Sequence, residues 1–274
     1  MQKLFKCFYK SAHDLIQHDG VEYAGYLSFL IILSIFPALI LIVSLIGLIV
    51  RITNVGNDIQ SLMSALFIDN ELGDLLAILK PQLLTIISTP PQSILGIAIV
   101  GMIWTSSSTI ETFRVILNRA YRVKSPPHYL IRRLTSILQF LFIVTAIALA
   151  IIVGSLLGIT VKRIDAGIVK HVIKNNLTAQ YFITIIITML GILWLYTIVP
   201  NKKQKIVNVL PGTLLVTCLL TVTAKILTFY IKKFSQIGSI YGSLEGVIIA
   251  LIFFYAINLC IIYGAEFNYN IQQA

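Results

Sequence analysis

Six stretches nearly free of charge, each long enough to cross a bilayer, constrain this chain more than any other feature. A helix rises 1.5 Å per residue, so about 20 apolar residues are needed to pass the hydrocarbon. Tyr23 to Val50, Leu134 to Val161 and Asn175 to Asn201 contain no Asp, Glu, Lys or Arg. Pro81 to Ile110 is also uncharged, and Pro90-Pro91 sets the start of its span near Ser93. Ile206 to Ile231 is broken only by Lys225, and Gly246 to Ala265 is bracketed by Glu245 and Glu266. Six spans are expected, at about 25–50, 93–113, 134–160, 180–200, 207–231 and 243–266. Composition agrees: 57% of residues are hydrophobic and only 12% charged, with a mean hydropathy of +0.90. Soluble domains carry roughly a quarter charged residues. The expected fold is an all-α polytopic membrane protein, with residues 1–274 forming one helical domain.

Orientation follows from Lys and Arg rather than net charge. The N-terminal segment, residues 114–133, residues 201–206 and the tail together hold 12 basic residues. The longer opposite side, residues 51–92, 161–179 and 232–242, holds 8, together with Asp58, Asp69, Glu71, Asp74 and Asp165. Both termini are therefore expected in the cytoplasm, although Lys162, Arg163, Lys170 and Lys174 oppose the trend. The excess of 21 Lys+Arg over 11 Asp+Glu is read as cytoplasmic retention beside anionic lipid headgroups, not as a nucleic-acid surface. Membrane lipids are the expected partners.

Two segments outside the spans are amphipathic. Leu4, Phe5, Phe8, Ala12, Leu15 and Ile16 fill one arc of a helical wheel, with Lys3, Lys6, Lys10, His13, Asp14 and Gln17 on the opposite arc. Such a helix is expected to lie along the interface. Residues 69–89 read as one or two short helices, broken near Pro81. No removable signal peptide is expected from the N-terminal pattern.

Ionisable groups inside a membrane are functional candidates by default. Lys225 ends a stripe of Thr213, Thr217 and Thr221, and Thr228 continues it. This stripe reads either as a polar substrate path or as hydroxyls bonded back to the preceding turn, with the lysine snorkelling outward. Glu245 is a candidate partner for Lys225, and failure of cysteines at the two positions to cross-link at short range would exclude the pair. Gly238, Gly242 and Gly246, like Gly154 and Gly158, have the spacing of close helix contacts. Tyr255, Asn258 and Glu266 share a face of the last span, and Pro37 kinks the first. The second span carries five successive hydroxyls, Thr105 to Thr109, followed by Glu111 and Arg114 at pairing distance along the helix.

Motifs for enzyme chemistry are missing: no Walker loop, HExxH, GxSxG or paired-cysteine pattern is present. Cys7, Cys218 and Cys260 read as free thiols. His13 and His18 lie five residues apart, about 140° around a helix, so no metal site or cofactor is expected there.

Three segments resemble one family in order and spacing. They are DGVEYAGYLSFLIILSIFPALILIVSLIGLI (19–49), ETFRVILNRAYRV (111–123) and YGSLEGVIIALIFFYAINLCIIYGAEFN (241–268). The pattern is similar to the YihY/virulence factor BrkB family of bacterial inner-membrane proteins, which also carries the older label ribonuclease BN. The resemblance covers nearly the whole chain. It implies six transmembrane helices, a bacterial cytoplasmic membrane and no established biochemical activity, with suggested roles in transport and serum resistance. Carried over by position, the motif residues are Pro37, Asn118, Arg119, Ala120, Tyr121, Tyr241, Gly242, Gly264 and Glu266. Gly25, where alanines are common, and Glu245 depart from the pattern, so a Lys225–Glu245 pair is not implied by it. The leading functional expectation is a transporter or a protein that translocates lipids or organic anions. A structural or interaction protein of the envelope is the alternative, and a membrane-bound ribonuclease ranks last.

Overall fold

The computed structural model describes residues 2–53, 93–124, 127–163, 177–234 and 245–273. Every regular element among them is an α-helix: α1 (Gln2–Gln17), α2 (Gly20–Thr53), α3 (Ser93–Ala120), α4 (Tyr129–Arg163), α5 (Leu177–Ile198), α6 (Ile206–Phe234) and α7 (Glu245–Gln273). Each expected span falls largely within one of these helices. Among the described residues, three segments are apolar and long enough to cross a membrane: Tyr129–Leu149, Ile206–Phe229 and Gly246–Gln273. Gly20–Ile35 and Thr184–Ile198 are shorter apolar helical segments. The expected helices at 69–89, and Gly238, Tyr241 and Gly242, lie outside the described residues, as do the surroundings of Gly154 and Gly158.

The chain divides into two compact units. One comprises Met1–Leu33, Ser108–Leu134 and Leu177–Ala274, and the other comprises Ser34–Ser107 and Thr135–Asn176. In the second unit, Thr105 Oγ1 donates to Gly101 O at 2.9 Å and Ser107 Oγ to Trp104 O at 3.0 Å, so part of the hydroxyl run is satisfied within its own helix. Leu138 and Phe142 on α4 stand well exposed, as expected of side chains whose solvent is lipid.

The first unit has α7 at its centre, with α1 and α6 against it and α5 against α6. Lipid is as apolar as leucine, so helices in a membrane are held by close packing and hydrogen bonds rather than by water exclusion. Both occur at the α6–α7 crossing. A Cβ on Gly264 would overlap the Val216 side chain and approach the Tyr196 hydroxyl to 2.6 Å; a Cβ on Gly212 would overlap the Gly264 carbonyl and the Asn268 amide. Two facing glycines therefore let the backbones meet. Around them Leu117, Tyr121, Ile192, Tyr196, Val209, Val216, Ile261 and Ala265 form one buried cluster. At Gly246 and Gly25, by contrast, a Cβ would meet nothing within 4 Å among the described residues.

The connection from α1 to α2 is a sharp corner. Asp19 adopts φ 55°, and its carbonyl accepts the first bond of α2 from Tyr23 N at 3.0 Å. Gly20 is required at this corner, since a Cβ would stand 2.8 Å from Leu15 O and 3.2 Å from Ile262. The corner folds α1 back onto α7. The two arcs of the wheel do not predict the face that makes this contact. Cys7, Ser11, Asp14 and Leu15 are buried, whereas Phe5 and Ile16 of the apolar arc are exposed. Asp14, expected among the headgroup-facing residues, is instead turned inward, because the contact runs along the flank between the arcs.

Candidate functional site

The polar residues of the first unit converge where α3 ends beside α1 and α7. Helix α3 closes with Tyr121 N bonded to Leu117 O at 2.9 Å and Val123 N to Asn118 O at 2.8 Å. Arg122 between them sits at φ 54°, the left-handed position that helix ends usually give to glycine. An arginine there is strained by roughly 1 kcal/mol or more, so its side chain must recover the difference.

It does so by bonding in several directions. Arg122 Nη1 donates to the Ala120 carbonyl at 2.5 Å and to Glu266 Oε2 at 2.8 Å. Its Nη2 reaches Asp14 Oδ2 at 3.0 Å, and the guanidinium lies 4.5 Å from the centre of the Tyr269 ring. The other oxygen of Glu266 is 2.9 Å from His18 Nδ1. Asn270 Nδ2 donates to Asp14 Oδ2 at 3.0 Å and to Ser11 Oγ at 3.1 Å. One arginine thus faces two carboxylates, one of which also meets the His18 ring. Glu266 is 1% exposed in this setting, while His18 and Arg122 are about a quarter exposed. At its rim Arg119 Nη2 pairs with Asp19 Oδ2 at 2.8 Å.

Two further networks flank this knot. Asn268 Oδ1 accepts from the backbone N of Gly212 at 2.6 Å, and its amide lies 3.4 Å from the Tyr121 hydroxyl. Burial pushes the Tyr121 phenol well above its ordinary pKa, opposed by the Asn268 bond. Tyr196 stacks edge-on against Tyr121 and donates to Ile261 O at 2.5 Å. On the other flank, Asn118 Oδ1 accepts from Asn201 N at 2.9 Å and Arg114 donates to Asn201 Oδ1 at 3.2 Å. Glu111 pairs with Arg114 at 3.6 Å, as its spacing predicted, and with Arg132 at 3.4 Å.

Of the motif residues, Asn118, Arg119, Ala120, Tyr121, Gly264 and Glu266 come together in this region. Pro37 lies within α2, in the other unit. The intramembrane candidates lie elsewhere along α6. Thr213, Thr217, Thr221 and Thr228 each donate to their own helix, to the carbonyl four residues earlier, at 2.8 Å. Lys225 is exposed. Glu245 opens α7 and its side chain is outside the described residues, so a pairing with Lys225 is not tested by the geometry.

Asp14, His18, Arg122, Asn268 and Asn270 were not among the expected site residues. A signal for three of them exists in the sequence: Asp14 and His18 are four apart at the end of α1, and Asn270 lies four residues after the expected Glu266 on α7. Two polar pairs at one-turn spacing can face each other across a helix contact.

Residues 12–274 match the model of the virulence factor BrkB family. The chain belongs to that family. A putative ribonuclease-like protein YfkH of Bacillus subtilis is 26% identical over 92% of this chain and 90% of its own length. A UPF0761 membrane protein of Vibrio campbellii is 24% identical over 94% of this chain and 80% of its own, and one from Chlorobium limicola 24% over 98% and 58%. No solved structure matches. The family is one of membrane proteins without an established function, and this chain is a membrane protein.

Proposed function

We propose that this BrkB-family chain is a single-domain protein of the bacterial cytoplasmic membrane, crossing six times with both termini inside, that moves lipids or organic anions across the bilayer. Its charged knot is the closed cytoplasmic end of the path. The observation that carries this reading is Glu266, an ionisable residue 1% exposed in an apolar helix and held by His18 and Arg122. Ionisable residues at such positions are costly, and in membrane proteins they mark substrate paths and the elements that gate them. Lys225, on the exposed side of α6, supplies positive charge along the route for an anionic substrate. The sequence has no ATP-binding loop, so movement is passive or driven by an ion gradient.

The test is purified protein in liposomes with labelled anionic and zwitterionic phospholipids. Movement above that of empty liposomes, reduced by Lys225→Ala, supports translocation. Absence of movement from folded protein moves weight to the second reading, a structural or interaction protein of the envelope. What favours that reading is the threonine stripe, whose hydroxyls all bond within α6. It expects Lys225→Ala to leave the cellular phenotype intact and disruption of α1 to abolish it. The name of the Bacillus relative keeps ribonuclease activity as a third reading, tested by RNA cleavage with purified protein and His18→Ala.

A further inference from the structure

Away from the knot, a second polar cluster forms where α3 meets the connection between α5 and α6, residues 199–205. Asn118 is 6% exposed, and its Oδ1 accepts from Asn201 N at 2.9 Å. Asn201 Oδ1 accepts in turn from Arg114 Nη1 at 3.2 Å. Each amide oxygen thus faces a donor, and a flip of either amide would only set NH2 against N–H. The amino ends are fixed with the oxygens. Asn118 Nδ2 and Asn201 Nδ2 are both buried, and neither has a hydrogen-bond partner among the described residues. Buried donors are rarely left in that state, and two of them in one small cluster suit a shared acceptor.

The kind of acceptor follows from the neighbours. Arg114 is buried, and Glu111 lies between it and Arg132, at 3.6 and 3.4 Å. A guanidinium beside two amide donors favours an anionic oxygen over a neutral one, and arginine and asparagine are common partners of phosphate oxygens. Apolar side chains border the cluster. Tyr129, Leu130 and Ile131 precede Arg132 at the start of α4, Ile206 and Val207 follow the connection at the start of α6, and all five are well exposed. Arg114 and Asn118 come directly after the expected span 93–113, at the depth of lipid headgroups. Charged oxygens bordered by hydrocarbon are the chemistry of a phospholipid.

We propose that Asn118, Asn201 and Arg114 form a binding site for phosphate oxygens, presented by a phospholipid headgroup or by a soluble phosphate. The two asparagines donate from their amino groups, and Arg114 supplies the charge. Asn201 is half-buried on a connection that is not helical, so this connection is the cover that yields as the ligand enters. The site requires only that the chain is in a membrane. It stands or falls separately from translocation.

The experiment follows the thermal midpoint of delipidated protein in detergent during titration with dioleoyl phosphatidylglycerol, with dioleoylglycerol, which lacks the phosphate, and with inorganic phosphate. Phosphatidylglycerol should raise the midpoint saturably and dioleoylglycerol should not. Asn118→Asp and Asn201→Asp keep the accepting oxygen but replace the amino group with a second oxygen. Each should leave the lipid-free midpoint equal or higher, beside Arg114, yet raise the half-saturating concentration about tenfold or more. Should Asn118→Asp fail to fold, the half-buried Asn201 carries the test alone. A response to lipid but not to inorganic phosphate assigns the headgroup as the source. A response to inorganic phosphate that the aspartates abolish assigns the soluble one. No saturable response to either, an equal response to dioleoylglycerol, or a response that the aspartate variants retain overturns the proposal and leaves the two amides with a packing role.

Discussion

At the scale of single residues, Arg122 is the keystone of the charged knot. It accepts a left-handed backbone to place one guanidinium on Glu266, Asp14 and a helix-end carbonyl. Removing one member of a well-buried ion cluster leaves the others uncompensated, at a cost of about 3–5 kcal/mol. Arg122 is 26% exposed, and solvent screening lowers that cost. Arg122→Gln should therefore destabilise by about 2–3 kcal/mol, read as a lowered thermal midpoint in detergent. Glu266→Gln in the Arg122→Gln background should cost less than it does alone, the sign of direct coupling in a double-mutant cycle. Glycines offer a second contrast. Gly264→Val should be among the most damaging single changes, because its new side chain would occupy space held by Val216 and Tyr196. Gly25→Ala, in open space within α2, should be neutral or stabilising by up to about 1 kcal/mol. Equal effects at the two positions would contradict the α6–α7 crossing described here.

At the scale of elements, the helices were legible in the sequence because each carries a long apolar run, and three described segments are long and apolar enough to cross a membrane. The site was legible only in part. Asn118, Tyr121, Gly264 and Glu266 were marked by the resemblance, but nothing local tied them to α1: Asn270 and Asp14 are 256 residues apart. The helical wheel of α1 separated apolar from basic residues correctly and could not reveal that a third, narrow flank of Cys7, Ser11 and Asp14 packs on α7. Small and polar residues on such a flank give no hydrophobic signal, although they are what close helix contacts in membranes select. This docking is testable by itself. With the native cysteines replaced, Ser11→Cys and Asn270→Cys should be bridged efficiently by mercuric ion, since the parent side chains are 3.1 Å apart. Failure to bridge in folded protein would remove α1 from the face of α7.

At the scale of the whole molecule, the charges follow a simple division. Asp14, His18, Arg122 and Glu266 gather at the ends of α3 and α7, whereas Lys225 stands exposed along α6. In a transporter that arrangement is a closed gate, because the ion pairs hold together elements that would have to part for a substrate to pass. In a scaffold it is a permanent clamp. The two accounts agree on every stability prediction above and differ only in whether the knot opens during function. The most direct measurement is transbilayer movement of labelled anionic phospholipid in liposomes holding the Ser11→Cys/Asn270→Cys protein, before bridging, after mercuric bridging, and after release with dithiothreitol. The gate account predicts movement that stops on bridging and returns on release. Movement that continues unchanged while α1 is locked to α7 would contradict it.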